Sequence, residues 1–99
     1  MKIVFHRLAR RELYRAADWY DYREPGLSDR LYGEVEKAFA FIRQFPNGTE
    51  EIGHSCRRAV LYDFPYSLIY SVIEPGTVLI IAVAHQRRRP GYWRKRLTK

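Results

Sequence analysis

The sequence predicts an α+β fold of two layers, in which a hairpin of two helices packs on a mainly antiparallel sheet of four strands. Apolar residues recur at helical spacing over residues 8–45 and then alternate at strand spacing from residue 56 onward. Pro25-Gly26 and Pro75-Gly76 mark a tight turn within each of these regions. The 99 residues therefore form one domain, residues 1–99, with the element order β-α-α-β-β-β.

The first half of the chain predicts one strand and two helices. The run KIVFH at residues 2–6 is rich in β-branched and aromatic side chains, which is typical of a strand. A helix is predicted from Leu8 to about Tyr22, and a second helix begins at Ser28 as its N-cap and stops at Pro46. The apolar faces comprise Ala9, Leu13, Ala16 and Tyr20 in the first helix, and Leu31, Val35, Ala38 and Ile42 in the second.

The second half of the chain predicts three antiparallel strands. The run CRRAVLY at residues 56–62 alternates, and YSLIYSVI at residues 66–73 alternates strictly between two faces. The turn at Pro75-Gly76 joins this strand to TVLIIAVAH at residues 77–85, and the two strands form a hairpin. That last run is almost wholly apolar, which indicates a strand that is covered on both faces.

The net charge of +7 lies entirely in the basic tail, residues 87–99. Seven of the eighteen Lys and Arg residues fall in this tail, and no acidic residue follows Glu74. The other 86 residues hold eleven basic and eleven acidic residues and are neutral overall. Such segregation indicates an anionic partner, which would be nucleic acid, an acidic protein segment or a membrane surface, unless the tail only keeps the protein in solution.

Several classes of protein and of site are excluded by the sequence. No apolar run approaches the ~20 residues that span a bilayer, and the N-terminus lacks the apolar core of a signal peptide. The single cysteine, Cys56, cannot form an internal disulfide and suits a reducing cytoplasm, where we expect the protein. Because the three histidines are far apart and no glycine-rich phosphate loop occurs, we expect no metal and no cofactor. The carboxylates of Glu50 and Glu51 are assigned to a solvated turn region.

One group of basic and aromatic residues remains as a candidate site. His85 ends the last strand, Tyr92 and Trp93 follow it within eight residues, and Arg57 and Arg58 begin an earlier strand. Such groups could cleave RNA without a metal, because His or Tyr can act as acid or base and Arg can clamp phosphate. They could equally bind an anionic surface without chemistry. His85 and Trp93 could also have only structural roles, as a strand end and as a lid on the core.

The order of elements and three short motifs resemble those of the RelE/ParE superfamily of bacterial type II toxins. The motifs are Phe64-Pro65-Tyr66-x-x-x-Tyr70-x-Val72, Val78-Leu79-Ile80-Ile81-Ala82-Val83-Ala84-His85 and Arg88-x-Pro90-x-x-Trp93. The resemblance covers nearly the whole chain, including the helix hairpin that ends in Phe45-Pro46. It implies a toxin that a cognate antitoxin holds silent. ParE-like members poison DNA gyrase, whereas RelE-like members are ribosome-dependent endoribonucleases that cut mRNA.

The residues that RelE-like nucleases use are only partly matched. Arg58 can fill the role of a basic residue on the second strand, and Tyr92 matches a tyrosine near the C-terminus. Ser67 stands where the third-strand arginine belongs, and an arginine there would neutralise the phosphorane. His85 and Arg88 could compensate, so the nuclease alternative assigns catalysis to Arg58, His85, Arg88 and Tyr92. The FPY corner and the H-x-x-R-x-P-x-x-W ending are more similar to the ParE-like branch.

The favoured interpretation is a ParE-like toxin that inhibits DNA gyrase by binding, without an enzymatic step. The residues expected to contact gyrase or the gyrase–DNA complex are Arg87, Arg88, Arg89, Tyr92, Trp93 and Arg94. The antitoxin is expected to bring an acidic, partly disordered segment that folds on binding, with Trp19, Tyr22 and Tyr32 as candidate aromatic anchors. A ribosome-dependent mRNA endonuclease is the alternative, and an inactive relative that only binds an antitoxin is a third interpretation. None of the three involves a membrane.

Overall fold

Two helices pack on one face of a mixed sheet, which confirms the predicted two-layer α+β fold. The computed structural model describes residues 1–97. Lys99, which contributes to the basic tail, lies outside the described residues. The elements are β1 (Lys2–Phe5), α1 (Arg7–Arg23), α2 (Leu27–Gln44), β2 (Glu50–Gly53), β3 (Cys56–Val60), β4 (Tyr66–Glu74), β5 (Thr77–His85) and a short 3-10 helix (Arg94–Leu97). Over residues 1–97, no helix combines the length and the apolar character needed to cross a membrane.

The sheet has five strands in the order β1-β5-β4-β3-β2, one strand more than predicted. The additional strand, β2, contains Glu50 and Glu51, which were assigned to a turn. They lie in an antiparallel pair with β3, with Glu50 opposite Arg58 and Glu51 opposite Arg57, and the Arg58 guanidinium donates to the Glu50 carboxylate. Their carboxylates also suit an edge position, since charge discourages pairing with further strands. At the opposite edge, β1 pairs in parallel with β5.

The start of α2 differs from the prediction. Gly26 precedes the helix, and its left-handed φ of 91° turns the chain after α1. Ser28, the predicted N-cap, lies inside the first turn, where its N–H and hydroxyl donate hydrogen bonds of 2.8 and 2.7 Å to the Asp21 carboxylate. A carboxylate from α1 therefore satisfies the first turn of α2 and ties the two helices together.

The alternation predicted for β4 is confirmed over residues 66–70 by the two apolar clusters that flank the sheet, whereas Val72 and Ile73 are exposed. The helix-side core includes Leu13, Leu31, Ile42, Leu68 and Tyr70. The other face is called the open face because α1 and α2 lie on the opposite side, and its smaller core comprises Cys56, Ile69, Ile81, Ala82 and Trp93. β5 contributes to both cores, as its continuous apolar run predicts. Trp93 lies beyond the last strand, so the C-terminal end of the chain covers part of the open face.

Candidate target-binding site

The C-terminal segment, residues 86–97, leaves the end of β5 and folds back against the sheet. The Gln86 N–H donates a hydrogen bond of 2.8 Å to the Pro65 carbonyl oxygen, which fixes the start of the segment. Gly91 has a left-handed φ of 77°, a conformation that favours glycine, and the chain turns there into the 3-10 helix. The turn inserts Trp93 into the open-face core, where the side chain is 5% exposed.

A carboxylate on α1 holds the C-terminal segment from the other side. Oε1 of Glu12 accepts hydrogen bonds from the Val83 N–H and from Nη1 of Arg96, each at 2.9 Å. Oε2 accepts from the Tyr92 hydroxyl at 2.7 Å and from Nη2 of Arg96 at 2.8 Å. The Arg96 and Glu12 side chains are only 11% and 14% exposed. We call these four residues the Glu12 cluster.

The Glu12 cluster completes the edge of β5 beyond the point where β1 ends. The last residue of β5 that is in register with β1 is Ile80. Past this point, the Val83 N–H donates to Glu12, and the Ile81 carbonyl oxygen accepts from Nη1 of Arg96 at 3.0 Å. The two side chains supply the acceptor and the donor that a longer β1 would supply. Backbone groups that are costly to bury without partners are therefore satisfied.

The ionisable groups of the Glu12 cluster stabilise one another's charge states. Burial would raise the pKa of Glu12, but hydrogen bonds from Arg96, Tyr92 and the Val83 N–H outweigh burial and hold that pKa below its ordinary value. Burial, followed by the hydrogen bond to the Glu12 carboxylate, raises the pKa of Tyr92. The hydrogen bond to Glu12 also raises the pKa of Arg96. At neutral pH the cluster therefore joins a carboxylate, a guanidinium and an un-ionised phenol.

The ring of Tyr92 connects the Glu12 cluster to the exposed arginines. The guanidinium carbon of Arg88 lies 3.8 Å from the centroid of this ring, within cation–π range. Arg87, Arg89 and Arg94 are exposed in the same segment. The segment therefore presents several guanidinium groups around a fixed aromatic ring.

A cleft of about 270 Å³ lies between the C-terminal segment and the open face of the sheet, and we call it the open-face cleft. Its lining includes His54, Arg58, Ser67, His85, Arg88, Arg89, Tyr92 and Arg94. Among the described residues that line it, none carries a carboxylate. Such a concentration of positive charge attracts phosphate groups or acidic side chains. Within residues 1–97, no group of three or more His, Cys, Asp or Glu side chains is placed to hold a metal ion.

A second cavity, the α1 groove, has a volume of about 360 Å³ and lies between α1 and the end of β5. Trp19, Tyr20 and Tyr66 give it aromatic walls, and Arg15 and Arg88 add positive charge. The Trp19 side chain is 52% exposed, so its ring is accessible to a partner. Arg88 lines both cavities, which places the α1 groove beside the open-face cleft.

The comparisons with known proteins agree with this architecture. A family model described as the ParE toxin of the type II toxin–antitoxin system parDE matches residues 3–90. The chain belongs to the ParE toxin family. A solved structure titled "Chromosomal ParDE TA system from P. aeruginosa" has the same fold, with a TM-score of 0.71 and 17% sequence identity over 86% of this chain and 95% of that chain. A search of curated proteins finds no match.

This ParE-family toxin is thus a type II toxin, and the residues of the nuclease alternative meet in its open-face cleft. These residues are Arg58, His85, Arg88 and Tyr92. Two of them are engaged by carboxylates, since Arg58 donates from Nε and Nη2 to Glu50 at 3.1 and 2.7 Å, and the Tyr92 hydroxyl donates to Glu12. Ser67 lines the same cleft at the position where the resemblance to nucleases expects an arginine. Their roles in catalysis stay a prediction.

The residues predicted to contact gyrase divide into exposed and buried groups. Arg87, Arg88, Arg89 and Arg94 are exposed, Tyr92 is half-buried, and Trp93 is buried in the open-face core of the toxin. Trp93 therefore anchors the C-terminal segment, and the burial of its ring leaves the arginines as the available contacts. His85 stands at the end of β5, where its Nδ1 accepts a hydrogen bond of 3.0 Å from the Arg87 N–H. It begins the turn that directs the arginines.

The three candidate anchors for an antitoxin lie in different surroundings on the toxin. Trp19 lines the α1 groove. Tyr22 is 87% exposed near the C-terminal end of α1. Tyr32 is partly buried and packs against the helix-side core. Their involvement in antitoxin binding stays a prediction.

Sequence reasoning missed Glu12 and Arg96, which the toxin brings together across 84 positions. Neither residue belongs to a recognisable motif, and helical periodicity gives no reason to pair α1 with the C-terminus. One signal was present, because Glu12 is the only carboxylate within the first 17 residues, among five basic residues. An isolated acidic residue beside the apolar face of a helix is a candidate for a structural ion pair.

Proposed function

We propose that this toxin inhibits DNA gyrase by binding it through the C-terminal segment, and that a cognate antitoxin neutralises it. The observation that carries the proposal is the state of Tyr92. Its hydroxyl is bound to the Glu12 carboxylate and its pKa is raised, so it is poorly suited to exchange protons with a substrate. The segment around it offers positive charge, which favours recognition of an anionic surface over chemistry.

The proposal is tested by measuring gyrase supercoiling and DNA cleavage in the presence of purified toxin. The double variant Arg88→Ala/Arg89→Ala removes two exposed charges from the C-terminal segment, and we expect inhibition to weaken by roughly tenfold or more. The matched control is Arg7→Ala/Arg11→Ala, which removes the same charge from exposed positions on α1. Gyrase that keeps full activity in an excess of wild-type toxin would overturn the proposal.

The α1 groove supports the antitoxin part of the proposal. An acidic segment would find cations in Arg15 and Arg88 and an exposed ring in Trp19. Trp19→Ala should weaken binding of the product of the adjacent open reading frame, measured by calorimetry, while Tyr62→Ala, at a side chain that is 75% exposed elsewhere, should not. If the adjacent product does not bind the wild-type toxin, it is not the antitoxin.

A ribosome-dependent endoribonuclease is the second candidate, and the acid-free open-face cleft favours it. Arg58, His85 and Arg88 converge there, as a phosphate-binding site requires. This candidate expects cuts in mRNA when toxin is added to translating ribosomes, and loss of those cuts in His85→Ala. Intact message at toxin excess would exclude it.

A further inference from the structure

We infer that Glu12 is a positioning residue for the target-binding surface: it holds the C-terminal segment through Tyr92 and Arg96 and thereby sets the place of Arg88. This role goes beyond the proposed gyrase binding. Only the expected effect of Glu12 on gyrase inhibition rests on that proposal. The family match ends at residue 90, so Tyr92 and Arg96 lie outside it. The inference depends on the geometry of the Glu12 cluster in this chain.

The hydrogen bonds to Glu12 require a carboxylate. Each of the four groups that contact it acts as a donor: the Val83 N–H, the Tyr92 hydroxyl and the two terminal nitrogens of Arg96. A carboxylate has two oxygens and accepts all four. Glutamine has the same shape but replaces one oxygen with a donor, so an amide N–H would face the Arg96 guanidinium. The cluster therefore requires both the charge and the shape of the Glu12 carboxylate.

Tyr92 transmits the position of Glu12 to Arg88. The Glu12 carboxylate fixes the hydroxyl of Tyr92 at 2.7 Å, and the guanidinium carbon of Arg88 lies 3.8 Å from the centroid of the same ring. Arg96 closes the arrangement, because it binds Glu12 through both terminal nitrogens and also donates to the Ile81 carbonyl oxygen. Without Glu12, the Tyr92 hydroxyl loses the only charged acceptor that it has within residues 1–97.

The C-terminal segment is attached to the rest of the fold at two places, the open face of the sheet and α1. Trp93 attaches the C-terminal segment to the open face by apolar packing, which is not directional. The Glu12 cluster attaches the neighbouring residues to α1 by hydrogen bonds with defined angles. Apolar packing alone would keep the segment near the sheet, whereas the hydrogen bonds fix the direction in which Arg88 points.

The test compares Glu12→Gln with Glu36→Gln, a change of the same chemistry at an exposed site on α2. Amide hydrogen exchange is measured for every residue, and inhibition of gyrase and growth arrest on induction are measured in parallel. In Glu12→Gln we expect exchange at Val83 and in residues 86–97 to rise by about tenfold or more. Exchange in the helix-side core, at Leu68 and Ile80, should stay within about twofold of wild type. Gyrase inhibition and growth arrest should fall by a similar factor of about ten.

Two further variants keep the test decisive if Glu12→Gln folds poorly. Arg96→Met removes the two hydrogen bonds from Arg96 to Glu12 and the one to the Ile81 carbonyl oxygen, while Tyr92 and Val83 still donate to Glu12. It should raise exchange in residues 86–97 in the same way. Arg96→Lys keeps the charge but loses the bidentate pair, and its effect should fall between wild type and Arg96→Met. Glu36→Gln should match wild type in every measurement.

Two results would overturn the inference. Exchange that rises equally throughout the protein would make Glu12 a general contributor to stability, and exchange that stays unchanged at residues 86–97 would show that Glu12 does not hold the segment. A wild-type toxin that leaves gyrase active has a different meaning. It would remove the proposed function, while the contrast in exchange between Glu12→Gln and Glu36→Gln would still decide the positioning role.

Discussion

Tyr92→Phe separates the structural role of this tyrosine from a chemical one. The substitution keeps the ring, with its contact to Arg88, and removes only the hydroxyl that donates to Glu12 at 2.7 Å. A hydrogen bond to a charged group contributes about 1.5–3 kcal/mol to stability. Because Glu12 keeps three other donors, it is not left unsatisfied, and we expect the lower end, about 1.5 kcal/mol. In a domain of this size that corresponds to a melting temperature lower by roughly 6–12 °C.

The loss in stability is measured by urea denaturation followed by circular dichroism, with Tyr62→Phe as the control. Tyr62 is 75% exposed, so removal of its hydroxyl should change the free energy of unfolding by less than about 0.5 kcal/mol. Equal unfolding free energies for wild type and Tyr92→Phe would refute the argument, because a charge-assisted hydrogen bond that costs nothing to remove does not hold the segment.

The same variant distinguishes the two candidate functions. If the toxin acts by binding, Tyr92→Phe should weaken gyrase inhibition by no more than the factor of about ten expected for Glu12→Gln, because the arginines, the ring and the pair between Arg96 and Glu12 remain. If Tyr92 acts as an acid or base in RNA cleavage, its loss should reduce the rate by about 10²–10⁴. A hundredfold loss of mRNA cleavage in a folded variant would assign the hydroxyl a chemical role despite its bond to Glu12.

Three further predictions concern stability. Trp93→Ala should lower the free energy of unfolding by about 3–5 kcal/mol in urea denaturation, because the side chain is 5% exposed in the open-face core, and a loss under about 1 kcal/mol would contradict its role there. His6 caps α1 by accepting from the Leu8 N–H, and burial, followed by the charge of Arg96, lowers the pKa of His6. The contribution of this cap to the free energy of unfolding is therefore complete above pH 6.5 and is lost as pH falls through the lowered pKa. His6→Asn should abolish this pH-dependent step in melting curves recorded over a pH series. Because the pKa of Glu12 is lowered in the folded toxin, its carboxylate contributes fully to the free energy of unfolding above pH 4.5, the ordinary pKa, and this contribution is lost as pH falls through the lower folded pKa. The free energy of unfolding of Glu12→Gln should therefore depend less on pH below 4.5 than that of wild type.

Periodicity predicted most of the fold because the elements depend on local patterns. The helical spacing in α1 and the alternation in β4 each follow from one buried face, and a single sequence records that face directly. The pattern failed at β2, where neither Glu50 nor Glu51 is buried and the strand is defined by its pairing with β3. An edge strand of four residues with one partly buried apolar side chain, Ile52, has no apolar period to detect.

The candidate site was predictable in composition but not in arrangement. The position of His85 at the strand end and the arginines after it follow from the order of the chain. Whether Trp93 points outward or into the core does not follow, because an aromatic residue after the last strand has no period to define its face. The link between Glu12 and Arg96 depends on which edge of β5 lacks a backbone partner, and that is a property of the assembled sheet.

The position of β5 between β1 and β4 ties the folding of this toxin to the end of its synthesis. β1 is made first, but its partners at residues 77–80 are made near the end, and the donors to Glu12 at Val83, Tyr92 and Arg96 follow later still. The sheet cannot close on a nascent chain that stops before β5, since pairing between distant segments has to wait for both. A ribosome that stalls earlier releases a fragment with no C-terminal segment. The C-terminal segment, on which the proposed target binding depends, therefore takes its place only after β5 and the donors to Glu12 have been made.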